Sequence, residues 1–207
     1  MSEVKRRSLA VLSAGIGQPS STRLLADQLA TATVAELRNL GCDVDLRVVE
    51  VREHARELGN AMVTGFPPTT LRAALEAVSG ADGLIAVTPT FRASFSGLFK
   101  SFIDVLDDEA LEGKPVALGA TGGSARHSLV LEHAMRPIFT YMRAVVVPTA
   151  VFAATDDWAG TGEATPLRAR ITRAGRELAA EIARREPASP DDPFALPTSF
   201  EDLLSGD

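Results

Sequence analysis

The chain predicts an α/β fold of three layers, a parallel and doubly wound sheet with helices on both faces. Three observations predict it. Short, continuous apolar runs recur along the chain, as strands buried on both faces require. Segments with helical apolar spacing fill the gaps between them. Such alternation implies parallel strands joined by right-handed crossovers.

Five strands are expected. Residues 8–12 (SLAVL), 83–88 (GLIAVT) and 115–120 (PVALGA) are unbroken apolar runs. Residues 44–51 (VDLRVVEV) alternate, which fits a strand nearer the edge. Residues 145–152 (VVVPTAVF) complete the set, and Pro148 there needs an unpaired N–H direction or a bulge.

Helical stripes lie between and after them. Leu25, Ala26, Leu29, Leu37 and Leu40 form the first, and Leu71, Leu75 and Val78 the second. Phe95, Leu98, Phe99, Phe102, Ile103 and Leu106 form a third, which Ser94 can cap. Leu131, Ala134, Met135, Ile138 and Met142 form a fourth, with Pro137 inside it. That proline lacks the N–H that would bond the carbonyl of His133, so the helix must kink or widen there, a π-bulge being the usual remedy. Leu167, Ile171, Leu178 and Ile182 close the series behind Thr165 as N-cap and Pro166 at the first helical position.

Composition narrows the function classes. With 207 residues and 45% hydrophobic content, residues 1–186 make one domain. The net charge of −6 and scattered arginines exclude a nucleic-acid groove, which needs a basic face. Cys42 is the single cysteine, and the three histidines are too sparse for an obvious metal site. No apolar run nears the length of a membrane span and no signal peptide is visible, so a soluble cytoplasmic protein is expected. Residues 187–207 read as a Pro-rich acidic tail, either disordered or strapped across a neighbouring subunit.

In a doubly wound sheet, ligands bind beyond the carboxyl ends of the strands, where strand order reverses. Three loops should gather there. The first runs from Ser13 to a helix start carrying Ser20, Ser21 and Thr22. Those hydroxyls either cap the helix in the ordinary way or join its free N–H groups in binding phosphate. A dinucleotide fingerprint fits poorly, since Ser20 stands where the third glycine belongs, and no GK[ST] follows for a P-loop.

The second loop is Pro89, Thr90, Phe91, Arg92, Ala93 and Ser94. Pro89 turns the backbone and the small residues leave room for a flat group, unless Phe91 simply packs into the core. The third is Thr121, Gly122, Gly123, Ser124 and, shortly after, His127, where two glycines permit close backbone approach.

The motif from Thr88-Pro89 through Gly97, Lys100 and Asp104, with the hydroxyl-rich first loop and the TGGSxxH segment, resembles the flavodoxin-like NAD(P)H-dependent FMN reductases. The resemblance covers roughly residues 8–155, and the closest type is the reductase partners of two-component alkanesulfonate or methanesulfonate monooxygenases. It implies a flavodoxin-like three-layer sandwich with a five-stranded parallel sheet, FMN and NADPH or NADH as cofactors, and a homodimer or homotetramer. It further implies that Ser13, Ser20, Ser21 and Thr22 bind the FMN phosphate. Pro89 through Ser94 would line the flavin, with Phe91 and Arg92 bordering the ring, and Thr121, Gly122, Gly123 and Ser124 would edge its pyrimidine side. His127 is a further contact, and His133 occupies the place of an inserted aromatic at a subunit interface, where it would modulate flavin release. Gly15, Ile16 and Ser21 depart from the more polar or arginine-bearing pattern of the family, which suits a flavin that leaves. No acid–base dyad or nucleophile is visible, and none is required where flavin carries the hydride. An FMN-retaining quinone reductase and a redox-silent FMN-binding protein are the other readings.

Overall fold

β1 (Lys5–Ser13) shows why the sheet occupies the middle layer. Leu9 and Val11 belong to the core on one face, Ala10 and Leu12 to the core on the other, and all four are inaccessible to solvent. A strand placed between two layers must be apolar at every position, as the sequence run indicated. The computed structural model describes residues 5–159 and 165–186, so the acidic tail lies outside the described residues.

β2 (Cys42–Glu50) and β3 (Gly83–Phe91) flank β1 in parallel, and β5 (Pro115–Gly122) follows β3. The short β6 (Val145–Val146) and β7 (Val151–Ala154) both pair in parallel with β5, giving the order β2-β1-β3-β5-β6 with β7 continuing beside β5. This is the flavodoxin-like arrangement, with the order reversing between β1 and β3.

The fifth expected strand is thus two. Pro148 falls in the break between them, where its missing N–H interrupts no ladder bond. A further two-residue strand, β4 (Ser94–Phe95), folds back antiparallel on the end of β3.

α1 (Ser21–Asn39) and α6 (Pro166–Ala183) cover one face. They approach closely at Gly175, where an added Cβ would lie 2.8 Å from that of Ala32. α2 (Ala55–Thr64), α3 (Thr69–Ser79), α4 (Gly97–Asp104) and α5 (Arg136–Tyr141) cover the other face. Phe99, Phe102 and Phe139 are fully buried there, with the Phe99 and Phe139 rings 6.3 Å apart.

Two local expectations are corrected. The helix after the second loop begins at Gly97, not Phe95. Its cap is Ser96, whose Oγ accepts from the Phe99 N–H at 3.1 Å, because Ser94 and Phe95 are committed to β4. The expected widening at His133 is present: Leu131–Met135 forms a π-turn running directly into α5, with Pro137 in the first turn of that helix.

Candidate functional site

The three loops meet at the carboxyl end of the sheet. The first, residues 14–20, joins β1 to α1, and the Ala14 N–H still pairs with the Val87 carbonyl at 2.9 Å. Ser13 is buried at the strand end. The loop is drawn in tightly at Gly15, where a Cβ would lie 2.1 Å from Ser20 Oγ, so a side chain there would force the loop open.

The four hydroxyls of this stretch part company. Ser20 is the N-cap of α1, its Oγ accepting from the Arg23 N–H at 3.2 Å. Thr22 is buried, its hydroxyl bonded to that of Thr121 on β5 at 2.8 Å, which ties the first loop to the third. Ser21 alone is exposed at the first position of the helix. The first N–H groups of a helix have no partner within it, and the first turn of α1 carries no carboxylate to occupy them.

A polar network that sequence reasoning missed supports this loop from outside. Arg23 pairs with Asp27 at 2.7 Å and with Glu50, which in turn holds Arg52 at 2.7 Å. Arg52 donates to the Gly17 carbonyl at 3.4 Å, and Gln18, its amide oxygen turned toward Arg52, accepts at 2.8 and 2.9 Å. The hydrogen bond to Asp27 and the nearby Glu50 hold the Arg23 guanidinium above its ordinary range. Arg23 stands beside the hydroxyl run in sequence, but Glu50 comes from the end of β2 and Arg52 from the 3-10 turn that follows it, contacts set by the parallel register that places Glu50 opposite Ser13.

The second loop is a β-hairpin. β3 continues through Pro89 to Phe91, and β4 returns with Thr90 opposite Phe95 and Phe91 opposite Ser94. Pro89 is tolerated because its N–H would face β1, whose pairing with β3 ends at Val87. The sharp reversal expected at Pro89 therefore falls at Arg92 and Ala93, with φ of 52° and 66°. Phe91 is 47% exposed, so it is no core residue. Thr88 is buried and pins the hairpin, its Oγ1 accepting from the Ser96 N–H at 3.0 Å.

The third loop leaves β5 at Gly122 and reaches a single 3-10 turn, Ala125–His127, with Ser124 capping it through the Arg126 N–H at 3.4 Å. A Cβ on Gly122 would lie 3.0 Å from the Phe152 ring and 3.6 Å from Thr90 Cβ, while Gly123 borders open space. His127 and His133 are both exposed. The π-turn carrying His133 packs beside β4, next to the second loop. A groove of about 700 Å³ lies between α4 and α5, and none of the residues of the three loops lines it.

This end of the molecule suits a mononucleotide. The first turn of its helix contains no acidic residue, and Gly122 and Gly123 keep the adjacent surface low. The hydroxyl of Thr90 is buried without a hydrogen-bond partner among the described residues, the mark of a site whose polar ligand comes from elsewhere. Among the described residues no cluster could hold a metal ion.

The fold and site define a flavodoxin-like nucleotide-binding α/β protein. The family model for NADPH-dependent FMN reductase matches residues 8–159, and the chain belongs to that family. It is 39% identical to an NADH-dependent FMN reductase, SfnF, of Pseudomonas fluorescens, covering 81% of this chain and 88% of that one. It is 37% identical to an FMN reductase (NADPH) of Pseudomonas aeruginosa, with the same coverage. Among solved structures, an oxidoreductase of Corynebacterium diphtheriae superposes with a TM-score of 0.84 at 48% identity, covering 87% of this chain and 99% of that one. The apo form of the NADH:FMN oxidoreductase EmoB superposes at 0.76 with 27% identity, over 88% of this chain and 93% of that one.

Proposed function

We propose that the chain reduces FMN with NAD(P)H and hands the reduced flavin to a partner flavin-dependent monooxygenase. The observation that carries this reading is the N-terminus of α1 at the strand-order reversal, capped by Ser20, bearing the exposed Ser21 and with no acidic residue in its first turn. The helix N–H groups and Ser21 hold the phosphate. Ser13, Thr22 and Thr121 fix the loop from within, the last two through their shared hydrogen bond. Pro89, Thr90 and Ser94 wall the ring on one side, and Gly122, Gly123 and Ser124 edge it on the other. Phe91, Arg92, Ala93 and His127 stand at the rim.

Bound FMN would supply the hydride-accepting ring. The protein's share is to place that ring and to leave one face open to nicotinamide, so no side chain need move a proton. Uncharged Gly15, Ile16 and Gly17 in the phosphate loop suit a flavin that leaves. His133 would modulate that release and meet a second subunit of a homodimer or homotetramer, a reading supported by its exposed position on the π-turn that packs against β4.

Purified protein should be colourless and should oxidise NADPH or NADH only when FMN is added. A yellow protein that reduces quinones without added FMN would favour a retained flavin. Absence of turnover with either dinucleotide in the presence of FMN would overturn the enzymatic reading.

A further inference from the structure

Arg92 and Arg126 occupy the tips of the second and third loops. The bases of these loops are adjacent: Pro89 lies in register with Thr121, and a Cβ on Gly122 would lie 3.6 Å from Thr90 Cβ. Both arginines are exposed, and neither guanidinium has a hydrogen bond or ion pair among the described residues. The arginines of neighbouring segments differ. Arg23 and Arg52 share Glu50, and Arg136 on α5 is held by Glu132 at 2.6 Å. In a chain with 27 Asp and Glu against 21 Lys and Arg, two arginines without a carboxylate partner among the described residues, on loops with adjacent bases, leave their donors open to an anion.

The backbone adds a second observation. Arg92 and Ala93 both hold positive φ in a two-residue hairpin turn, where asparagine and glycine are the favoured residues. Local strain of this kind persists where the surrounding structure over-determines it, and it clusters at ligand sites. The phosphate of FMN is assigned to the N-terminus of α1, on the first loop, which leaves these cations for a different anion at the same mouth.

We propose that Arg92 and Arg126 bind a phosphate of the nicotinamide dinucleotide and so set its affinity. The inference rests on the proposed function in taking the dinucleotide as second substrate. The pyrophosphate common to NADH and NADPH and the 2′-phosphate of NADPH alone offer the same chemistry, and measurement separates them. Arginine suits either, since its fork donates in pairs to phosphate oxygens.

The test is calorimetric binding of NADP⁺ and NAD⁺ to the FMN-saturated protein, at low and high KCl, for R92Q, R126Q and the double variant. Loss of charge-assisted contacts should weaken NADP⁺ by about tenfold or more in the double variant. It should also flatten the salt dependence, which a merely structural role would leave unchanged. Both side chains are exposed, so thermal unfolding should be unaffected. Equal weakening of NAD⁺ assigns the pyrophosphate, and weakening confined to NADP⁺ assigns the 2′-phosphate. Unchanged affinity and salt dependence for both ligands would overturn the proposal. NADPH-driven FMN reduction by the unsubstituted protein, together with variants that bind as it does, would sink this inference and leave the proposed function standing. NADP⁺ binding that weakens in the variants of a protein unable to reduce FMN would do the reverse.

Discussion

At the scale of single residues, Lys114 shows how burial can set a pH dependence far from the site. It stands just before β5, at the end of the sheet opposite the loops, and donates to the Ser79 carbonyl at 2.7 Å and to that of Ala81. Burial pushes its ammonium down to about 8 from 10.5, against the opposing pull of Asp82. Between those values the unfolded chain holds more protons than the folded one, so stability rises with pH across that window. Below it the penalty for the buried charge is constant. The rise should be on the order of 1–3 kcal/mol, measured by urea unfolding between pH 8 and 10.5. Lys114→Met should abolish the slope; a slope that survives the substitution would exclude Lys114 as its source.

At the scale of elements, the sequence was most readable where one periodicity ruled. The Leu9–Leu12 stretch of β1 and most of β3 and β5 are apolar because both faces are covered, and the α4 stripe is strict because three of its residues are buried. α2 was missed because only Leu58 and Ala61 of its length are buried, too few to mark a stripe. The hairpin was missed because Arg92 and Ala93 carry no turn signature; their positive φ is imposed by tertiary context. Pro137 was informative because the loss of one N–H has a local remedy, and the π-turn follows.

The α1–α6 contact was not visible in sequence, and it makes its own prediction. Gly175→Ala improves helix propensity by about 1 kcal/mol. Its Cβ would nevertheless meet Ala32 at 2.8 Å and the Thr33 N at 3.0 Å, both on the helix whose N-terminus faces the site. Overpacking typically costs about 1–3 kcal/mol, so the net change should be a loss of stability. Denaturant unfolding checks this, and a stabilised variant would show that the two helices can separate freely.

At the scale of the whole molecule, a doubly wound sheet brings three loops from distant parts of the sequence to one edge. The three loop sequences, each with an ordinary structural explanation, pointed to function only in combination. The fold brings the loops to one edge and gives several of their residues structural partners. Thr22 and Thr121 hold α1 to β5, Ser20 caps α1, and Glu50 at the end of the edge strand with Arg52 just beyond it braces the first loop. Ser21 is left as the exposed hydroxyl at the helix N-terminus. The central claim, that this terminus receives the phosphate of FMN, is tested most directly by Ser21→Asp. A carboxylate there satisfies the helix N-terminus and keeps the fold stable, yet it repels a phosphate. FMN binding should weaken by about tenfold or more while riboflavin, which lacks the phosphate, binds as before. Equal effects on both flavins, or none on either, would contradict the claim.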